Sequence, residues 1–234
     1  HTTASDGHAS IEEMAETARE RGYEYLAITD HSATHGFGDD VQPDVLRRRI
    51  EEIRALDVPR IRVLAGTETN ILPDGSLDYE DSVLEELDWV VASVHTSFRL
   101  GEEKQTERML RAMEHPLVDA IGHPTGRKIG RREPYALDLD RVIAGAVETG
   151  TFLEVNANPD RRDLSDVYAR AAAEAGVTLV IDSDAHGADT LENIRYGVDT
   201  ARRAWVSRGQ VANTRTWKQL DRLRKRSAPP KGGS

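Results

Sequence analysis

The sequence predicts an α/β fold in which parallel strands alternate with helices and curl into a closed or nearly closed barrel. The first observation behind this is the alternation itself: short, near-continuously apolar runs are separated by amphipathic segments, the pattern of βαβ units whose strands are covered by helices. The second lies at the ends of those runs, where Asp30-His31, Glu68, His95, His123 and Asp184-Ala185-His186 follow one strand-like segment after another. An open doubly wound sheet gathers loops from only a few strands at one switch point, whereas a barrel gathers them from every strand end. The third is length: 234 residues suffice for one large α/β domain with a full core and are too few for two.

The elements follow in order. Residues 10–21 form a helix, with Ser10 and Glu13 as a capping box, Ile11, Met14, Ala15 and Ala18 on one face and Gly22 as its stop. A strand over 23–29 comes next, then a helix opened by Pro43 with Leu46, Ile50 and Ile53 as its stripe, and a strand over 60–65. A short helical segment at 79–87 precedes a strand at 89–94. A helix at 102–113, ended by His115-Pro116, precedes a strand at 117–121. The helix at 137–149 turns Leu139, Val142, Ile143 and Ala146 inward, ends at Gly150 and leads into a strand at 151–155. Residues 163–175 form a helix stopped by Gly176, and 177–181 the last clear strand. Helices at 190–207 and 214–225 close a domain spanning 1–226, and 227–234 is a linker or disordered tail. Six strands are visible in this reading, and a further one is expected before His1, because His1 and Asp6 look like a post-strand loop without its strand.

Composition narrows the chemistry. No apolar run approaches the roughly 20 residues that span a bilayer, no signal peptide opens the chain, and a cytoplasmic location is expected. The absence of cysteine removes disulfides and thiolate metal sites, so any metal sits on imidazole and carboxylate. A formal net charge of −10 argues against a protein that coats nucleic acid, although bound cations would reverse the potential locally. A chain that starts at histidine points to a fragment, a processed protein or unrecorded leading residues.

In a strand, residues i and i+2 face the same way, so Asp184 and His186 can reach one ion. A lone histidine is more often a hydrogen-bonded core or loop residue. Inward polar groups at the ends of five strands, however, would crowd a barrel mouth with unsatisfied donors and acceptors unless something polar filled it, and divalent ions do so. The candidate ligands are His1, Asp6, His31, Glu68, His95, His123, Asp184 and His186. His8 at a helix entrance and His115 at a helix end fit capping, dipole or solvent roles. His35, in a Gly-rich loop, fits such a role too and is the one of the three placed to touch substrate.

The motifs His1-Thr-Thr-Ala-Ser-Asp6-Gly, Ile28-Thr-Asp-His31-Ser, Gly66-Thr-Glu68, Ser93-Val-His95, Gly122-His123-Pro and Asp184-Ala-His186 resemble, in order, those of the polymerase and histidinol phosphatase (PHP) family. The stretches Gly122-His-Pro-Thr-Gly-Arg127, Gly130-Arg-Arg, Pro134-Tyr135, Glu154-Val-Asn156-Ala-Asn158-Pro159, Tyr196-Gly197-Val198 and Asn213-Thr214 look like the carboxy-terminal PHP domain of bacterial family X DNA polymerases. The resemblance implies a distorted (βα)₇ TIM-like barrel, up to three divalent ions (zinc, manganese or iron), and a phosphoesterase acting at DNA 3′ ends. The 3′–5′ exonuclease, 3′-phosphatase and abasic-site activities are the candidates. It also implies a polymerase module upstream in the same chain. The family's first motif is His-x-His; this chain begins at what matches the second histidine, and its first strand is missing from view.

Glu68 is placed by the resemblance as a carboxylate bridging two ions, and Glu68, His95 and Asp184 carry the catalytic reading with Arg127. Bridged ions about 3.5–4 Å apart generate hydroxide at neutral pH and stabilise an in-line displacement on phosphorus, so no serine or cysteine nucleophile is required. Arg127 follows His123 on one loop and offers a planar fork to a phosphate oxygen, and Lys128, Arg131 and Arg132 extend a basic loop toward a polynucleotide backbone or stand as a solvated face. Asn156 and Asn158 orient ligands or cap a turn. The basic run 222–226 is expected to be a solvated helix end. Two other functions compete: a small-molecule phosphomonoesterase of the histidinol-phosphatase kind, and a catalytically silent scaffold attached to a polymerase.

Overall fold

The structure is a computed structural model that describes residues 1–34, 36 and 41–227. His35 and the tail beyond Ser227 lie outside the described residues, so the substrate role expected for His35 has no structural counterpart here.

Six strands, β1 (Tyr25–Ile28), β2 (Arg62–Asn70), β3 (Trp89–Ser93), β4 (Ala120–Ile121), β5 (Phe152–Asn156) and β6 (Leu179–Asp182), lie side by side in sequence order, every neighbouring pair parallel. Helices α1 (Ile11–Glu20), α2 (Pro43–Ala55), α3 (Asp81–Leu84), α4 (Glu102–Glu114), α5 (Leu139–Thr149), α6 (Asp166–Ala175) and α7 (Ile194–Arg203) alternate with them, and α8 (Trp217–Asp221) follows near the end. The sheet curls as the sequence predicts. Its opening lies between β1 and β6, where a cavity of about 480 Å³ is bordered by Tyr25, Ala27, Val180, Asp182 and Trp217. The Asn213 side chain covers part of the β6 edge there, accepting from the Ile181 N–H (3.1 Å) and donating to the Ile181 carbonyl (2.6 Å).

The sheet has two differently filled faces because strand side chains alternate. Val90, Ala92, Ile121, Leu153, Val155 and Ile181 pack outward against the helices in the main core. Trp89, Val91, Ala120, Phe152 and Val180 face inward, joined by Ala212 and Leu220, and form a second apolar cluster inside the curl. Farther along the same inward rows come Glu68, Ser93, Glu154, Asn156 and Asp182, so the interior changes from apolar to polar toward the carboxyl ends of the strands.

Several predicted boundaries move for identifiable reasons. The second strand runs on to Asn70, because Gly66 to Asn70 pair with Trp89 to Ser93. The helix predicted from 163 begins at Asp166: Ser165 caps it, and Asp163 is drawn into the interior. The helix predicted over 190–207 splits into a 3-10 turn (Asp189–Asn193) and α7, and Trp205 beyond it adopts a left-handed conformation with φ of 59°. The helix predicted over 214–225 shrinks to α8.

The last of these changes overturns the solvated reading of the basic run 222–226. Arg224 and Arg226 are 8% and 15% exposed in their side chains, and both reach the fully buried carboxylate of Asp119 just before β4. Arg226 donates to Asp119 Oδ2 (2.8 Å) and to the carbonyls of Leu87 (2.9 Å) and Leu117 (2.6 Å). Arg224 donates to the Asp88 carbonyl, and Lys225 Nζ to Met113 O (2.7 Å) and Thr151 Oγ1 (3.0 Å). Asp119 Oδ2 also accepts the Val90 N–H at 2.9 Å. These cations therefore close the amino-terminal end of the sheet, opposite the polar mouth. Asp119→Ala leaves the buried Arg226 guanidinium without a carboxylate, while Arg224 keeps Asp221 (Nε to Oδ1, 3.0 Å), and a loss of about 3 kcal/mol in unfolding free energy is expected from urea denaturation. Asp119→Asn, which keeps an acceptor for Val90, loses less.

Candidate metal centre

Glu68 stands at the centre of the polar mouth, on β2, and is 6% exposed in its side chain. His1 Nε2 (3.3 Å) and His31 Nδ1 (3.5 Å) approach its Oε2, and His95 Nε2 (3.2 Å) and His123 Nε2 (2.9 Å) its Oε1. Asp184 Oδ1 lies 3.2 Å from His1 Nε2, while Asp6 Oδ2 lies 3.2 Å from His186 Nε2 and 3.6 Å from His31 Nε2. All eight candidate ligands are thus brought together. Seven of them fall into three overlapping groups, His1, Asp6, His31 and His186; His31, Glu68 and His95; and His1, Glu68 and Asp184, with donor atoms in each within 4.8 Å of one another, and His123 joins through Glu68.

The donor set fits divalent ions: five imidazoles with three carboxylates suit zinc, manganese or iron. The ring nitrogens His1 Nδ1 and His123 Nδ1 are buried without a hydrogen-bond partner in the protein, so each is open to a ligand from outside the chain. Electrostatics point the same way. Burial pushes His31 down to about 2 and His123 down to about 4, with the neighbouring His1 and Arg161 adding to the effect, so both rings stay neutral and able to donate a lone pair. Burial would raise Glu68, but His31, His95, His1 and His123 hold it well below the usual carboxylate range. Asp184 is likewise held low against burial, chiefly by its hydrogen bond to His1.

Residues that sequence reasoning missed hold this arrangement in place. Asp30, adjacent to the ligand His31 but turned the other way, accepts from Thr2 N (2.5 Å), Thr2 Oγ1 (2.8 Å) and Ser5 Oγ (3.0 Å), fixing the loop that carries His1 and Asp6. The His1 backbone nitrogen donates to Ala185 O at 2.8 Å, joining that loop to the turn after β6. Glu154 Oε2 accepts the His123 N–H and the Asn156 amide, which also donates to Asp184 Oδ2 (3.1 Å), so Asn156 links two ligands as the orienting role requires. Burial, with Asp182 and Asp184 adding to it, keeps Glu154 well above the usual carboxylate range. His123 and Asp184 have φ of 29° and 51°, a strained conformation for side-chain-bearing residues of the kind found where chemistry over-determines geometry. The signal available in the sequence was faint: Asp30 and Glu154 stand within quoted motifs, with nothing to say where their side chains pointed.

The basic loop is assembled differently from the sequence expectation. The Arg127 guanidinium is engaged with its own protein, its Nε donating to the Arg161 carbonyl (2.8 Å) and its Nη2 to that of Arg162. It thereby fixes the segment that carries Arg161, which the sequence reading did not select. Arg161 is 10% exposed in its side chain, its Nε lies 3.5 Å from Asp184 Oδ2, and its Nη1 is buried without a partner. Arg132 lies over the Phe98 ring at 4.0 Å, Arg131 pairs loosely with Asp160 at 3.6 Å, and Lys128 is half-buried near Arg161 and Asp184. Among the other histidines, His8 is exposed and His115 caps α4 while meeting Asp81 Oδ1 at 3.0 Å.

A mouth of parallel strands that gathers seven grouped imidazole and carboxylate donors, with His123 as an eighth against Glu68, defines a metal-dependent hydrolase. The PHP domain family matches residues 1–158, and the chain belongs to that family. It is 44% identical over 229 residues to the DNA polymerase/3′-5′ exonuclease PolX of Bacillus subtilis (strain 168), covering 97% of this chain and 40% of that protein. It is 31% identical over 246 residues to a probable phosphatase of Thermoanaerobacter sp. (strain X514), covering 97% of this chain and 94% of that one. The fold is similar to that of histidinol phosphate phosphatase from Lactococcus lactis, solved with zinc, L-histidinol and phosphate, at a TM-score of 0.61 and 18% identity over 86% of this chain and 91% of that one.

Two expectations follow from this site. Zinc added at a hundred times its dissociation constant to chelator-treated protein stabilises it by about 2.7 kcal/mol, a rise of several degrees in Tm by calorimetry; Glu68→Gln removes most of that rise. The second concerns Asp163, whose carboxylate accepts the Thr125 N–H at 3.0 Å and whose pKa burial pushes up from 3.8 to about 6. With the folded pKa above the unfolded one, folding is penalised as pH rises from near 4, and the penalty is complete above about 6. Asp163→Asn is therefore more stable than the natural protein at pH 8, by up to about 3 kcal/mol, with no such gain at pH 4 in paired urea titrations.

Proposed function

We propose that this chain hydrolyses phosphodiester bonds at DNA 3′ ends, as a 3′–5′ exonuclease with 3′-phosphatase or abasic-site cleavage as variants of the same chemistry. The observation that carries the reading is the sharing of Glu68 among converging imidazoles beside a buried guanidinium, Arg161, that has an unused donor. Up to three ions, of zinc, manganese or iron, would be held by the three overlapping groups. When bound they supply the nucleophile from water and neutralise charge on the leaving oxygen. Glu68, His95 and Asp184 hold that assembly, Arg161 grips a phosphate oxygen through Nη1, and Arg127 supports Arg161 from behind. Lys128 and Arg131 meet the polynucleotide backbone. The name carried by the Bacillus relative favours DNA as substrate, with residues 1–226 acting as one cytoplasmic phosphoesterase unit beside a polymerase module in the same chain.

A small phosphorylated metabolite is the second reading, supported by the Thermoanaerobacter relative that this chain matches almost end to end and by the recessed position of Arg161. A catalytically silent scaffold is disfavoured by the convergence of all eight candidate ligands on one mouth.

The test is release of nucleotides from 3′-labelled DNA with manganese. Activity should fall about a hundredfold or more in His95→Ala, and Arg161→Met should raise KM about tenfold. Hydrolysis of p-nitrophenyl phosphate without release from DNA would replace the first reading by the second.

A further inference from the structure

Beside the metal mouth, residues 128–132 form a tight hairpin. Lys128 and Arg132 exchange backbone hydrogen bonds, both 2.8 Å, and Gly130 takes the left-handed turn position with φ of 70°. The hairpin is mounted rigidly. The Ile129 N–H donates to Asp160 O at 2.6 Å, tying the tip to the segment that carries Arg161. Arg132 Nε donates to Gly126 O at 2.8 Å while its guanidinium covers Phe98.

At the tip, Ile129 is 52% exposed. A single exposed apolar side chain is ordinary on a protein surface. This one differs in its setting: a β-branched residue on a pinned turn, flanked by Lys128 and Arg131, on a chain of net charge −10, next to a phosphoesterase centre. Its backbone N–H is used by Asp160 O, yet its side chain is left uncovered beside two cations. An aliphatic wedge between cations matches a nucleotide, which presents an apolar base face and anionic phosphates together.

We infer that the hairpin 128–132 receives the 3′ end of a polynucleotide, with Ile129 packed against the face of a base next to the scissile phosphate and Lys128 and Arg131 on the flanking phosphates. This assignment rests on the DNA reading above and adds to it a specificity element: a small phosphomonoester has no base to offer the wedge.

The experiment measures binding by fluorescence anisotropy, with calcium present, of two 5′-fluorescein oligonucleotides carrying a phosphorothioate at the last linkage. One is intact and one lacks its last two bases. The natural chain should prefer the intact strand by about tenfold. Ile129→Ser should erase that preference by weakening only the intact strand, and Ile129→Met, which keeps an apolar tip, should restore most of it. Equal binding of the two strands by the natural chain, or a preference that survives in Ile129→Ser, overturns the hairpin assignment and leaves the DNA reading standing. Failure to bind either strand overturns both.

Discussion

Everything at the mouth of this sheet depends on keeping Glu68 ionised where burial alone would neutralise it. Four imidazoles within 3.5 Å of its two oxygens supply that stabilisation, and they converge because four different segments deliver them. The carboxylate in turn makes the crowding of the rings tolerable, since four buried imidazoles with no common acceptor would leave unsatisfied nitrogens throughout the mouth. Burial keeps His31 and His123 neutral, so the rings present lone pairs rather than repelling charges. The site is therefore preorganised for cations by the same desolvation that would otherwise destabilise it.

That polar mouth is bearable because the remainder of the interior is not polar. Trp89, Val91, Phe152 and Val180 fill the same inward rows two to four residues earlier, and Asp119 with Arg224 and Arg226 seals the opposite end. Ionic groups sit at both ends of the curl with an apolar layer between them. The two ends also differ in kind. At the closed end the charges are opposite in sign and meet one another inside the protein, while at the mouth the imidazoles and carboxylates converge as candidate ligands, with Arg161 beside Asp184.

The supporting residues show how the chain divides labour. Arg127 binds the carbonyls of Arg161 and Arg162, and Arg161 meets Asp184. A guanidinium two residues from a turn is equally able to reach outward to an anion or back to a carbonyl, and only the neighbouring 158–162 segment, distant by more than thirty residues, decides which. Asp30 and Glu154 are similar: each is an acidic residue inside a motif but not a candidate ligand, and its contribution is a set of hydrogen bonds to loops that approach from elsewhere in the fold.

By itself the sequence determined the parallel α/β architecture, the order of its elements and the eight metal-competent side chains, because these are written locally. Strand periodicity places i and i+2 on one face, capping residues such as Ser10 start helices, and a strand-end histidine is visible wherever the strand goes. Tertiary structure decided what depends on distant partners. It turned the basic run 222–226 from a solvated end into a clamp on Asp119, it exchanged Arg127 for Arg161 beside Asp184, and it set Ile129 at an uncovered tip. The physical reason is common to all three. A long charged or apolar side chain has no preferred partner encoded in its own segment, and the burial and hydrogen-bond acceptors that choose one for it exist only once the strands have curled.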